Sequence, residues 1–199
     1  MIINKHVYHA HLIGENNTFT CVALKDTTVH KNELVVFQYL NGIDYFERNH
    51  LIKMLGHGKT ERRYGLVLEL GGKNLRNYYY ERDPQDGERM PRSNEPVLIE
   101  IIKGAARALA QFHKFGRHGD IGYYNFIVSR DQTPNTNVIN VKLIDFEISK
   151  LYEGNASDIV ENWKRDEVFK FGEMVYELFN EQHYKRAILL IFTDFYYCS

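Results

Sequence analysis

Cysteine is nearly missing from this chain. Cys21 and Cys198 are the two in 199 residues, and neither belongs to a C-x-x-C pair. A disulfide framework is excluded, and the expectation is a reducing, intracellular compartment, cytoplasmic or nuclear. An excess of one charge is also lacking: 25 Lys and Arg stand against 26 Asp and Glu, for a net charge of −1. That balance offers no electrostatic case for nucleic acid, so an anionic ligand must be held by local geometry. Long hydrophobic runs are absent too. The most apolar stretch, AILLIFTDFYYCS at 187–199, is broken by Asp194 and is too short to span a bilayer. MIINKHVYHA at the start has no apolar signal core. No nucleic-acid or membrane partner is therefore expected. Nine histidines are present, but no H-E-x-x-H or Cys/His spacing occurs, so no zinc is assigned. His9 and His11 share one face of a strand and read as surface positions.

Hydrophobic residues make up 44% of the chain, enough for a core in one compact domain or two small lobes. VYHAHLI, the polar turn GENN and TFTCVALK predict a hairpin over residues 7–26. KNELVVFQYLN at 31–41 predicts a helix with Leu34, Phe37 and Leu40 on its apolar face. HLIKMLGHG and YGLVLELGG read as two more strands, the second stopped by a glycine pair. The first seventy or so residues thus read as a small, mostly antiparallel sheet with one helix.

From residue 73 the character changes. KNLRNYYYERDPQDGERMPRSNEP is polar and includes a surface loop; its YYY run at 78–80 reads as a partly buried helix face rather than a stacking platform. VLIEIIKGAARALAQFHKFG has the spacing of a long buried helix. NFIV and VINVKLIDF are short strand candidates separated by the turn-rich DQTPNTN. DEVFKFGEMVYELFN is a second apolar helix, with Val168, Phe171, Val175 and Leu178 on one face.

Three polar residues beside those short strands carry the chemical argument. RHGDIGYYNFIV sets Asp120 five positions before Asn125, and VKLIDFEISK presents Asp145. Singly, Asp120 reads as a turn former and Asn125 as an Asx-turn residue. Together, ahead of apolar strands that pin both ends of a short loop, they read as a site that handles a metal ion and phosphate. A carboxylate and an amide oxygen suit a hard cation, with phosphates and water completing its shell.

VYHAHLI…CVALK, a helix carrying Glu33, GLVLELGG, HGDIGYYNFIV, KLIDFE and DEVFKFGEMVYELF follow one another as the elements of a protein kinase domain do. The resemblance covers nearly the whole chain. It implies an α+β, bilobal protein kinase-like fold: a small antiparallel sheet plus helix over 1–72 and a mainly helical lobe over 73–199. It implies ATP and Mg²⁺ as ligands and transfer of the terminal phosphoryl group to a protein Ser/Thr hydroxyl. Such transfer relies on positioning and electrostatics, with little covalent work left for the protein. By resemblance, Asp120 orients the hydroxyl, Asn125 and Asp145 hold metal, and Lys25 contacts the inner phosphates and pairs with Glu33. The eight-residue spacing of Lys25 and Glu33 is shorter than the family usually shows. Val7 and Ala23 would roof the adenine, Leu68 would guard the back of its pocket, and Glu69 and Gly71 would offer main-chain groups. His118 and Phe146 would stack with Phe37 and Met54 to tie the lobes together. Asp166 would hold the 118–120 loop through its backbone N–H groups, although an N-terminal helix acid needs no such role.

The pattern also departs from the family. No glycine stands in MIINKH ahead of Val7, where a phosphate-cradling loop belongs, so the chain reads as a domain without its first strand. Gly122 replaces the usual loop lysine, with Tyr124 at the alternative position. Gly119 replaces the arginine of H-R-D, so any activity should not depend on loop phosphorylation. Glu147 follows Asp145-Phe146 where glycine is usual, and residues 147–165 hold no A-P-E-like sequence. Two other readings follow from these departures. One is a pseudokinase, a binding or regulatory module that engages a partner kinase. The other is a small-molecule kinase of the choline or aminoglycoside type.

Overall fold

Alternating side chains and a short polar turn dictate the first hairpin. The computed structural model describes residues 6–14, 17–27, 31–59, 64–82, 89–91, 95–130, 132, 138–154 and 156–180. In it β1 (His6–Ile13) and β2 (Phe19–Thr27) pair antiparallel, with Val7 opposite Lys25, His9 opposite Ala23 and His11 opposite Cys21. The turn closes through Gly14 N donating to Thr18 O at 2.8 Å, with Asn17 at a positive φ of 56°. Asparagine tolerates that left-handed conformation better than most residues.

α1 (Lys31–Asn41) follows. Glu33, Val36, Phe37 and Leu40 are its buried positions, spaced as one helical face requires. The polar member of that face, Glu33, is the exception that a site must explain. A short α2 (Tyr45–Arg48), capped by Asp44 accepting from Phe46 N, was not expected from sequence. β3 (Met54–Lys59) and β4 (Tyr64–Glu69) complete a four-stranded antiparallel sheet of order β1-β2-β4-β3. The expected strand HLIKMLGHG therefore begins four residues late, because Leu51 instead bridges to Leu143 outside the sheet.

The polar stretch after Gly72 is more ordered than a loop. Asn74 caps α3 (Leu75–Tyr79) by accepting from Asn77 N at 2.8 Å, and β5 (Tyr80–Arg82) pairs with β6 (Arg89–Pro91). Tyr79 is fully buried, as a helix-face reading of the tyrosine run requires. α4 (Glu95–Phe112) buries Leu98, Ile101, Ile102, Ala105, Leu109 and Phe112 along one stripe and packs against a later strand, β9. Fully burying each large apolar side chain is worth roughly 1.5–3 kcal/mol, so this stripe anchors the second half of the chain.

β7 (Gly116–Arg117), β8 (Phe126–Val128), β9 (Val141–Leu143) and β10 (Lys150–Leu151) form two short ladders, β7 with β10 and β8 with β9. α5 (Ser157–Asn180) ends the described residues. It starts nine residues before the expected Asp166, so 157–165 belong to the helix and only 147–156 link it to Phe146. Its buried face is Glu167, Phe171, Met174, Val175, Leu178 and Phe179.

The architecture is α+β, with a small antiparallel sheet and several helices, and it is compatible with two lobes. Among the described residues no helix is long and apolar enough to cross a membrane. MIINK, most of DQTPNTN and the tail with Cys198 lie outside the described residues.

Candidate functional site

Lys25, the expected phosphate cation, ends the buried part of β2 and is 6% exposed. Its Nζ lies 2.7 and 2.6 Å from the two Glu33 carboxylate oxygens and 2.9 Å from Asp145 Oδ1. The eight-residue spacing is thus no obstacle to the pair. Phe146 N also donates to Glu33 Oε1 at 3.2 Å. Burial pushes the Glu33 carboxyl above its ordinary value, against the pull of the Lys25 charge. One cation is therefore shared by two carboxylates that come from opposite ends of the sequence. Asp145 itself has a φ of 69°. A non-glycine residue in that region is uncommon and is kept there by its surroundings.

The 118–125 loop supplies the second group. Asn125 Nδ2 donates to Asp120 O at 2.8 Å and to Asp120 Oδ2 at 2.9 Å, while the Tyr124 hydroxyl donates to Asp120 Oδ1 at 2.8 Å. Both carboxylate oxygens of Asp120 are thus engaged within its own loop. Burial, followed by the Asp120 bond and charge, raises the Tyr124 phenol to about 12. Gly122 leaves room for this Tyr124 rotamer, since a Cβ would stand 2.6 Å from the ring. A lysine at 122 and this Tyr124 conformation exclude each other.

These two groups meet through the backbone. Ile144 N donates to Asn125 O at 2.9 Å, next to Asp145, and β8 runs alongside β9. A hard divalent cation takes oxygen ligands. Asn125 commits its Nδ2 to Asp120, so Oδ1 is the amide atom left to face such an ion, and Asp145 contributes a carboxylate. This donor set fits Mg²⁺, with the remaining positions left to phosphate and water.

Ring contacts join the site to the core. Phe146 lies 5.3 Å from Phe37, 5.6 Å from His118 and 4.9 Å from Phe112, centroid to centroid. Met54 is buried in the same core. Phe112, the last residue of α4, was not anticipated as a member. Its position at the end of an apolar stripe was the available signal. His118 Nδ1 accepts from Asp120 N at 3.3 Å and its Nε2 lies 2.8 Å from Ile144 O. One ring nitrogen accepting and the other donating describes a neutral imidazole, and burial lowers the His118 value accordingly.

The expectation for Asp166 is corrected. Asp166 is exposed, and the neighbouring Glu167 holds the loop. Its carboxylate accepts from His118 N at 3.0 Å and from Gly119 N, and it meets His113 Nε2 at 3.0 Å. Burial alone would raise the Glu167 carboxyl, but the bonds from His113, Gly119 and His118 outweigh it and hold it below its ordinary value. The early start of α5 explains the shift of one position: residue 166 lies mid-helix, facing away, and 167 shares the face of Phe171 and Met174. Gly119 itself has a φ of +89°, and a Cβ there would meet Ile148 O at 3.0 Å, so an arginine would be strained. Asn32 was also missed. Its side chain donates to the carbonyls of Glu147 and Ser149, each at 2.9 Å, and ties α1 to the segment after Asp145.

The expected adenine residues are placed as follows. Strand register puts Val7, Ala23, Lys25 and Leu68 on one face of the sheet. Val7 is exposed, Ala23 half-buried and Leu68 buried. Glu69 N donates to Lys53 O at 2.9 Å, and its side chain accepts from Lys53 N at 2.9 Å and pairs with Lys142. Glu69 thereby links the sheet to β9. Gly71 follows β4, in the segment whose Gly72 N donates to Val128 O at 3.0 Å. No family model matches this chain, and no curated protein matches it significantly.

Proposed function

We propose that this chain is a phosphoryl-transfer domain of protein kinase-like fold, binding ATP with Mg²⁺ and directing the terminal phosphoryl group to a protein Ser/Thr hydroxyl. The observation that carries the reading is the buried Lys25–Glu33–Asp145 arrangement, 2.6–2.9 Å on each contact, at the meeting of β2, α1 and the segment after β9. An isolated ammonium with two carboxylates in a core is an expensive arrangement. It is understandable where a polyanion and its cation exchange with those contacts.

In this reading Lys25, positioned by Glu33, contacts the inner phosphates. Val7, Ala23 and Leu68 line the base, with main-chain groups near Glu69 and Gly71. Asp145 and Asn125 would hold Mg²⁺, which supplies charge neutralisation on the phosphates when bound. Asp120 orients the acceptor hydroxyl and takes its proton. Glu167 fixes the backbone that carries Asp120. Binding is tested by thermal melting with ATP, with and without Mg²⁺. A rise in melting temperature that needs both, and that Asp145→Asn removes, is expected; no shift at millimolar nucleotide would remove the reading. Asp120→Asn should then abolish transfer while leaving nucleotide binding largely intact.

Two alternatives each rest on one feature. The Tyr124 phenol on Asp120, with no cation at Gly122, favours a pseudokinase that engages a partner kinase. The short 147–156 segment favours a small acceptor molecule over a peptide. Phosphate transfer measured on protein, peptide and amino-alcohol acceptors separates all three.

A further inference from the structure

The β1–β2 hairpin brings together side chains with a different chemistry. His9 and His11 are two apart on β1, and Cys21 lies directly opposite His11 on β2. Successive side chains alternate across a strand and opposed residues share a face, so all three project from the same side of the sheet. The ligand atoms of the three side chains lie within 4.8 Å of one another. Both histidines are exposed and Cys21 is half-buried, so the group opens to solvent. Among the described residues β1 is an edge strand, paired with β2 alone.

We propose that His9, His11 and Cys21 form a binding site for a single Zn²⁺-class ion, with water in the fourth position. Two imidazoles and a thiolate make a soft-to-borderline donor set, which selects zinc or copper over Mg²⁺ or Ca²⁺. Tetrahedral zinc, with bonds of about 2.0–2.1 Å to nitrogen and about 2.3 Å to sulfur, sets its ligand atoms roughly 3.3–3.8 Å apart. The present separations, 4.8 Å or less, exceed that by about 1.5 Å at most, a contraction within the reach of side-chain rotation at exposed positions. Binding replaces the thiol proton of Cys21 by the metal and releases that proton to solvent, with no change of oxidation state. The ion would clip the edge strand β1 to β2.

Cys21 stands four residues from Lys25 along β2, roughly 13 Å at the rise of an extended strand. The same register sets His9 opposite Ala23, so the ion would border the residues proposed to line the base. Its test reads thiolate ligation without nucleotide, so it can fail without the phosphoryl-transfer reading failing.

The test uses the full chain, reduced with a non-chelating phosphine and titrated with Co²⁺ as an optical probe, then with Zn²⁺. A single equivalent of Co²⁺ should produce thiolate-to-metal charge-transfer absorption with tetrahedral d–d bands, both bleached by Zn²⁺. Cys21→Ser and Cys21→Ala should each abolish the charge-transfer band. His9→Ala and His11→Ala should each weaken binding by about tenfold or more. Cys198→Ser should leave the spectrum unchanged. Zn²⁺ should also raise the melting temperature of the parent and of Cys198→Ser, but not of the other variants. A parent without the charge-transfer band, a band that survives Cys21→Ser, or unchanged affinity in both histidine variants would overturn the site.

Discussion

The Tyr124 hydroxyl donates to Asp120 Oδ1 at 2.8 Å, so the side chain proposed to orient an acceptor hydroxyl already holds a hydroxyl of its own chain. Tyr124 is 48% exposed and can swing away, whereas Asp120 is held by Asn125 on its other oxygen. The phenol thus occupies an acceptor position that an incoming substrate hydroxyl would need.

On the phosphoryl-transfer reading, Tyr124→Phe should raise the rate several-fold, on the order of 1 kcal/mol for a half-exposed bond to a charged group. Nucleotide affinity should not change. Steady-state kinetics check this, and a fall in rate would mean that the phenol assists rather than blocks. Alkaline absorbance titration offers a second check. The Tyr124 phenol is raised to about 12 by burial and then by Asp120, so Asp120→Asn should bring its titration to lower pH.

Lys25→Met removes the cation between Glu33 and Asp145 and leaves two buried carboxylates facing each other. Breaking such an arrangement from one side should cost about 3–5 kcal/mol in urea unfolding. The double variant Lys25→Met with Glu33→Gln should recover part of that loss, because one of the stranded charges is gone. Additive losses in the double-mutant cycle would show that the two residues do not interact.

Glu167→Gln should destabilise the protein by about 2 kcal/mol, since a neutral amide cannot accept well from His118 N, Gly119 N and His113 together. Asp166→Asn, at an exposed position, should stay within about 0.5 kcal/mol of the parent. The opposite ranking in denaturant melts would restore Asp166 as the residue that fixes the loop.

Stability should fall on acidification in two stages. His118 is buried neutral with its value lowered from 6.5, so its contribution is complete above that pH. As pH drops below 6.5 the unfolded chain takes up a proton that the folded state resists. Glu167 is held below its ordinary value of 4.5, so its contribution is complete above 4.5 and is lost as pH falls through the lower folded value. Urea unfolding followed against pH should show Glu167→Gln flattening the acid limb only.

Gly119→Ala should destabilise by roughly 1–2 kcal/mol, because its φ of +89° lies outside the usual range of L residues. A neutral outcome in thermal melting would mean that the backbone at 119 can relax away from Ile148.

Much of the fold was legible as periodicity. Two-residue alternation located β1 and β2, and three-to-four-residue spacing located α1 and α4. Those signals arise wherever one face of an element is buried, whatever it is buried against. The start of α3 and its capping Asn74 were hidden in a polar stretch, where only the tyrosine run pointed to a helix face, because a cap and five residues produce almost no periodic signal. Asp166 and Glu167 mark the same limit. Both are acids at adjacent positions, and only the true start of α5 sets which one faces inward. Asp120, Asn125 and Asp145 were singled out by residue type and spacing, while the partners that orient them were not: Tyr124 on Asp120, and Asn32 on the segment after Asp145.

The order of residues alone determined which elements form and which polar residues stand out against apolar neighbours, because propensity and alternation are local properties of the chain. Tertiary structure decided that Lys25 reaches Asp145 across 120 positions and that Cys21 comes to rest beside two histidines. Such contacts depend on the angle at which a strand meets a helix and on the register of a hairpin, quantities set by packing of the whole core rather than by any one segment.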